Sequence, residues 1–172
     1  MKAILSADKN WGIGNRGGLL ISIPSDMKFF REETTGHVVI MGRKTLESLP
    51  AGQPLANRTN VVLTRDRKYK APAGVVVVHS VEELLSLYSD WDQDDLYVIG
   101  GGSVYEALLP YCDTAYVTKI DYAYQADTFF PNLDKDPQWE MVWESEEQTC
   151  FDIEFAFTRY ERVKPAAAPA EQ

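Results

Sequence analysis

Cysteine and histidine are scarce in this chain, with two of each among 172 residues. Cys112 and Cys150 lie outside any C-x-x-C spacing and far in sequence from a histidine, so neither a zinc site nor a disulfide framework is indicated. Ordinary reduced thiols are expected. Positive charge is also short: 17 Lys and Arg against 26 Asp and Glu leave a formal net charge of -9. That balance argues against a broad nucleic-acid or anionic-membrane surface, which needs a positive field. No apolar run approaches the length that crosses a bilayer, and "MKAILSADKNWGIG" lacks the long apolar segment of a signal peptide. The expectation is a soluble cytoplasmic monomer with no nucleic-acid or membrane partner.

What the chain does have is apolar material in short pieces. Its 45% hydrophobic and 12% aromatic residues are enough for one sizeable core. "AILSA" near the start, "HVVIM" at 37–41, "NVVLT" at 60–64, "VVVV" at 75–78 and "LYVIG" at 96–100 read as buried strands. Helices are expected between them at Pro24 to Thr35, Arg43 to Leu49, Val81 to Tyr88 and Ser103 to Leu109. Ser80 with Glu83 three residues on has capping-box spacing and marks the third start. This alternation predicts βα units. In the last third, "TAYVTKI" at 114–120, "WEMVWE" at 139–144 and "IEFAFTRYER" at 153–162 read as sheet-edge or antiparallel strands. The fold class is therefore α/β: a single domain over residues 1–163 with a mixed, mainly parallel β-sheet and helices on both faces. Residues 164–172, "KPAAAPAEQ", have no core-forming pattern and are expected to be a disordered tail.

One carboxylate stands out. In "LLISIPSDMKFFR" Pro24 suits a helix's first turn, and Asp26 then falls inside the arc formed by Met27, Phe29 and Phe30. Two readings are open. Asp26 can serve the positive end of the helix dipole, or it can face a dry pocket whose ligand supplies matching donors.

Glycines and cations mark the rest of a site. "GIGNRG" at Gly12, Gly14 and Gly17 is a literal G-x-G-x-x-G, but a dinucleotide fold needs a helix opening there. "GLLISI" running into Pro24 leaves no room for one, so a mobile loop over a ligand is the better reading. By contrast, "VIGGGSVYEAL" follows a strand and precedes a helix, the form of an anion cradle at a strand's carboxyl end. Gly42, Arg43, Lys44 and Thr45 leave another strand, as do Thr64 and Arg65. Two basic pairs and a glycine cradle in an acidic protein suggest a ligand with several phosphates, and cations in place of a ribose-binding acid favour NADP over NAD.

"WGIGNRGGLL", "IPSDMKFFR", "VVIMGRKTLESLP", "LANRTNVVLTR", "YVIGGGSVYEALLP", "YVTKID" and "ADTFFP" stand in the order and spacing of dihydrofolate reductase of the bacterial type. The resemblance runs over residues 1–162. It implies NADPH-dependent reduction of 7,8-dihydrofolate to 5,6,7,8-tetrahydrofolate, with hydride to C6 and a proton to N5, in support of one-carbon metabolism. It also implies a target for antifolates such as trimethoprim. By the same resemblance Asp26 binds the pterin 2-amino group and N3 and promotes protonation at N5, with the Thr118 hydroxyl on this acid. Ile4, Leu5 and Ile99 would line the pterin pocket, with Met27, Phe30, Leu49 and Leu55 around the folate. Arg58 would grip the α-carboxylate of the glutamyl tail, assisted by Arg31. For NADPH, Ser6, Ile13, Gly14, Gly17, Gly18 and Leu19 would lie along the nicotinamide side with Ile99. Gly42, Arg43, Lys44, Thr45, Leu63, Thr64 and Arg65 would hold the adenosine half. Gly101, Gly102, Ser103, Val104, Tyr105 and Thr128 would sit at the pyrophosphate and ribose, and a cis bond is expected between Gly100 and Gly101. No metal is implied.

Three positions depart from the family's pattern. Leu20 and Ile21 stand where most bacterial members have Pro-Trp, so the indole N–H that commonly holds a water near the pterin is absent. Ser6 replaces the usual Ala. Two other functions fit parts of the pattern: a related pteridine or pyrimidine reductase, which need not combine Asp26, Phe30 and Arg58, and a nucleotide-binding module without catalysis.

Overall fold

The computed structural model describes residues 1–163; the expected tail at 164–172 lies outside the described residues. The strands in chain order are β1 (Lys2–Ala7), β2 (Gly12–Gly14), β3 (Val38–Gly42), β4 (Thr59–Leu63), β5 (Val76–Val78), β6 (Leu96–Gly100), β7 (Thr114–Ile120), β8 (Thr128–Phe129), β9 (Trp139–Glu144), β10 (Gln148–Cys150) and β11 (Ile153–Arg162). The α-helices are α1 (Pro24–Thr34), α2 (Arg43–Ser48), α3 (Val81–Leu87) and α4 (Gly102–Leu108).

The main sheet has the order β10-β11-β7-β1-β6-β3-β4-β5, with β9 also paired to β11. From β7 through β5 every pairing is parallel, and those made by β11 are antiparallel. The expected mixed, mainly parallel sheet is present. β7 is not an edge strand, however. It pairs with β1 from Lys2↔Thr114 to Ala7↔Lys119 and with β11 on its other side. Its side chains explain this, because Ala115 and Val117 are buried on one face while Thr118 and Ile120 are also buried, leaving no solvent-facing row.

Why the strands read as continuous apolar runs follows from the layering. Alternate residues point to opposite faces, so Val38, Ile40, Val61, Leu96 and Val98 join the core that holds Leu84 of α3 and Val104 and Leu108 of α4. Val39, Met41, Val62 and Tyr97 join the other, with Leu46 of α2 and Phe29 and Phe30 of α1. Helices cover both faces, as such a sheet requires. The start of α3 is fixed as expected: Ser80 Oγ accepts from the Glu83 N–H at 3.0 Å, and the Glu83 carboxylate accepts from the His79 N–H at 2.8 Å.

The glycine-rich segment forms no helix. β2 pairs with β8 in a small antiparallel sheet, and Asn15 and Gly18 exchange backbone hydrogen bonds of 3.0 Å in both directions. Arg16 and Gly17 turn the hairpin with φ of 51° and 79°, a two-residue turn in which both central residues are left-handed and glycine is favoured. Three backbone N–H groups, of Asn10, Gly12 and Tyr124, donate to the buried Asp8 carboxylate at 2.9, 2.8 and 3.0 Å, tying the loop's root to the segment before β8.

Burial separates two leucines of α3. Leu84 is fully buried, whereas Leu87 is 51% exposed. Leu84→Ala is expected to lower unfolding free energy by about 2–5 kcal/mol, and Leu87→Ala to stay within about 0.5 kcal/mol of the parent. Urea denaturation of both variants checks this.

Candidate active site

A cleft of about 1050 Å³ opens along the carboxyl ends of the parallel strands, the edge where open α/β sheets take ligands. Its floor at one end is Ile4, Leu5 and Ile99, and α1 contributes Asp26, Met27 and Phe30. The other end carries Arg43, Lys44 and Arg65. One half is thus apolar with a single acid, and the other gathers three cations with one further acid, Glu82, and is net positive.

Asp26 is positioned by the residue before its helix. Ile23 is extended at φ -110° and ψ 118°, Pro24 follows at the first helical position, and Ile23 is buried against Ile120 and Phe155. Phe29 packs on Tyr116 and Phe157 at ring separations of 5.8 and 5.2 Å, which seats α1 over β7 and β11. The first turn then lies above Thr118, whose hydroxyl donates to Asp26 Oδ1 at 2.6 Å. Among the described residues this is the hydrogen bond that reaches the carboxylate, and no helix-terminal N–H does so. Of the two readings of Asp26, the pocket-facing one fits. Burial holds its carboxyl above the ordinary carboxylate range, against the smaller opposing pull of the Thr118 hydrogen bond.

Between the two halves lies the glycine turn. The Gly100–Gly101 peptide is cis, as expected, and Gly100 has φ 117°. A Cβ on Gly102 would come within 2.6 Å of Thr128 Cγ2, so only glycine lets α4 begin so close to β8. Gly101, Gly102 and Ser103 line the cleft, where a helix start leaves N–H groups unpaired. Tyr105 is anchored beneath by a 2.7 Å hydrogen bond from its hydroxyl to the Ile4 carbonyl, and burial raises the pKa of its phenol. Backbone donors beside three cationic side chains form a set that suits a polyanionic nucleotide.

The residues singled out for NADPH all line this cleft: Ser6, Ile13, Gly14, Gly17, Gly18, Leu19, Gly42, Arg43, Lys44, Thr45, Leu63, Thr64, Arg65, Ile99, Gly101, Gly102, Ser103, Val104, Tyr105 and Thr128. Leu49 lines it as well. Thr118 lies behind Asp26 and touches the cleft through it. Arg31, Leu55 and Arg58 are not on the lining. Leu55 packs with Phe30 and Leu49. Arg58 lies over the Phe30 ring at 5.9 Å and donates to the Ala56 carbonyl at 2.9 Å and to Thr34 Oγ1 at 3.1 Å. Burial lowers its guanidinium's pKa, and the nearby positive charge of Arg31 adds to this. These three residues cluster beyond Phe30, at the outer rim.

Ser48, His79, Ser80, Val81, Glu82 and Ala107 also line the cleft and were not expected there, while Gly100 lines it as part of the expected cradle. A signal for His79 and Ser80 existed, because "VVVVHS" is the exit of a parallel strand in the same sense as "VVLTR". Leu20 and Ile21 are off the lining, with Ile21 packed beside Ile23.

A family model described as dihydrofolate reductase matches residues 1–162. Dihydrofolate reductase of Bacillus subtilis is 36% identical over 171 residues, covering 96% of each chain. That of Haemophilus influenzae is 36% identical over 156 residues, covering 88% of this chain and 93% of its own. A solved dihydrofolate reductase from Enterococcus faecalis, complexed with NADP(H) and RAB-propyl, superposes with a TM-score of 0.83 at 36% identity, covering 95% of this chain and 96% of that one.

The raised Asp26 pKa carries a cost in the free protein. A group whose folded-state pKa is raised favours folding below the unfolded value and loses that contribution as pH rises through the folded one. Asp26→Asn should therefore raise the urea midpoint of the ligand-free protein at pH 7, with the gain vanishing below about pH 4, near the ordinary Asp value. Thr118→Val should push the Asp26 titration higher still, read by carboxyl-carbon NMR.

Proposed function

The chain belongs to the dihydrofolate reductase family, and from that premise we propose how its own residues divide the NADPH-dependent reduction of 7,8-dihydrofolate to 5,6,7,8-tetrahydrofolate. The observation that carries the assignment is a partly buried carboxylate, bonded to Thr118, at the apolar end of a cleft whose far end is cationic.

Asp26 binds the pterin. Its two oxygens lie in one plane and accept from the paired N–H edge formed by the 2-amino group and N3. With little water present, no other partner offsets the cost of its charge, and this makes the pairing selective. The elevated pKa brings the acid nearer to neutral pH, where a group that gives and regains a proton is most effective, and this supports its role in promoting protonation at N5. Thr118 holds the carboxylate in orientation. Ile4, Leu5 and Ile99 exclude water around the ring, with Met27, Phe30 and Leu49 around the rest of the folate.

At the rim, Arg58 and Arg31 are neighbouring cations, and neither is bonded to a carboxylate among the described residues. Two like charges so placed call for an anion, and the α-carboxylate of the glutamyl tail meets that need, with Arg58 offering the planar fork. When bound, NADPH supplies the hydride that arrives at C6. The hairpin from Ile13 to Leu19 would cover the nicotinamide with Ser6 beneath it. The start of α4 would hold the pyrophosphate, and Arg43, Lys44, Thr64 and Arg65 the adenosine phosphates. We read residues 1–163 as one domain. The charge balance supports a cytoplasmic monomer that takes no nucleic acid, and among the described residues no helix is long and apolar enough to cross a membrane.

Mixing purified protein with NADPH and dihydrofolate should bleach the NADPH absorbance; a non-catalytic binding module would leave it unchanged. Asp26→Asn is expected to cut turnover near neutral pH on the order of 10²- to 10⁴-fold and to flatten the acid limb of the rate profile. A profile of unaltered shape would remove Asp26 from the chemistry. Replacing Arg43 and Lys44 together by alanine should weaken NADPH relative to NADH by about tenfold or more, the scale of one charged hydrogen bond, as measured by KM for each cofactor.

A further inference from the structure

His79 lies at the cationic end of the cleft, where β5 gives way to α3. Its Nδ1 is 2.9 Å from the carbonyl oxygen of Thr64. A carbonyl oxygen only accepts, so Nδ1 must carry the hydrogen, and the neutral ring is left with Nε2 as a bare acceptor. The ring is held from both sides of its residue, because the backbone N–H of His79 donates to Glu83. A phosphate monoester above its second ionisation near about pH 6 is a dianion whose oxygens also only accept. Contact between it and Nε2 therefore requires a second proton on the ring.

The charged groups on the elements meeting around this imidazole are of both signs. The loop leaving β4 brings Arg65 and Asp66, the first turn of α3 brings Glu82 and Glu83, and the head of α2 brings Arg43 and Lys44. Arg43 is already paired with Glu47 at 3.0 Å, and Glu83 is occupied by its hydrogen bond from His79. Lys44, Arg65 and Glu82 make no ion pair among the described residues, and Arg43, whose pair with Glu47 is a solvent-screened surface contact, stays available to a ligand beside the imidazole.

We propose that His79 is a specificity-determining residue that takes up a proton when the 2′-phosphate of the cofactor binds, so that preference for NADP over NAD is coupled to pH. The inference rests on the placement of the adenosine phosphates beside Arg43, Lys44 and Arg65. Thr64 enforces the coupling by fixing which nitrogen faces the ligand. The net change is one proton from solvent to Nε2 for each phosphate bound, with no covalent bond made or broken. The competing reading, in which neutral Nε2 accepts from the adenine amino group, involves no proton uptake and treats both cofactors alike.

With only His37 and His79 in the chain, proton NMR can follow the imidazole C2–H of each. His37 is bonded to Asp95 at 2.8 Å and is absent from the cleft lining, so it serves as an internal control. NADP+ should move the His79 titration midpoint upward, NAD+ should leave it in place, and His37 should respond to neither. Each unit of displacement corresponds to about a tenfold coupling between proton and cofactor. The NADP+ to NAD+ affinity ratio should accordingly fall between about pH 6 and about pH 8, the range in which imidazole titrates. In His79→Gln that fall should disappear, leaving only the opposite, rising trend that ionisation of the phosphate itself produces at the neighbouring cations.

An unmoved His79 midpoint with tightly bound NADP+ overturns the coupling and leaves the phosphate placement intact. Equal displacement by both cofactors overturns it in favour of adenine recognition. Equal affinity for both cofactors at every pH overturns the phosphate placement itself, and the coupling with it.

Discussion

A single hydrogen bond between a helix and a sheet sets the character of this protein. Thr118 on β7 donates to Asp26 on α1, and no cation joins them among the described residues. Had an arginine stood there, the acid would be fully ionised and satisfied, with nothing left to offer a ligand. One neutral donor is enough to orient the carboxylate but too little to offset its desolvation, so its pKa remains raised. The fold keeps an unfinished contact at the floor of an apolar cleft, one that a heterocycle with a paired N–H edge would complete.

Parallel strand topology explains why the rest of the site gathers around that contact. The parallel strands deliver their carboxyl ends to the same edge, and four of them send residues at or just past those ends into the cleft: Gly42 and Arg43 at the end of β3, Thr64 and Arg65 after β4, His79 after β5, and Gly101 after β6. β1, between β7 and β6 in the same sheet, supplies Ile4, Leu5 and Ser6. Side chains distant in sequence thus converge without any one of them being individually unusual. The hairpin between β1 and α1 is held separately, by Asp8 at its root and by the Arg16 N–H to Asp127 at 2.8 Å near its tip.

Much of this was legible in the sequence because the signals were local. Helix bounds fell within one residue of Pro24–Thr34, Arg43–Ser48, Val81–Leu87 and Gly102–Leu108, since proline, strand exits and a capping serine each act within a turn. The spans of β7, β9 and β11 match their expected ranges because β-branched and aromatic residues are dense there. Less legible was whatever depends on a distant partner. β2 and β8 are two short segments that become strands only by meeting each other, and β10 is only Gln148–Cys150 against β11. The central position of β7 was hidden because an interior strand and an edge strand share a composition when one face is half-polar. The sign of the Asp26 shift could not be read either. Burial and the Thr118 bond oppose each other, and their balance depends on how α1 sits over β7. Arg58 is a different case: the family resemblance implied an anion-binding role for it, while its place beyond Phe30 depends on how the segment from Gln53 to Asn60 folds back on itself. There Asn60 anchors the chain by bonding both the N–H and the carbonyl of Leu55 at 2.9 Å.

The same division between local and distant effects resolves an electrostatic tension. A body with net charge -9 repels a polyanionic cofactor at long range, yet three cations line one end of the cleft. At physiological ionic strength screening acts over about 8 Å. The many surface carboxylates are therefore muted by the time a ligand reaches the cleft, whereas Arg43, Lys44 and Arg65 would act on a bound phosphate at contact distance, well inside that screening length. Local geometry outweighs net charge at the point of binding, and the acidic exterior can serve solubility without opposing the site. Placing cations at strand exits, where backbone donors already point into the cleft, lets few positive charges suffice. An acidic chain can therefore hold a highly anionic ligand without a basic surface.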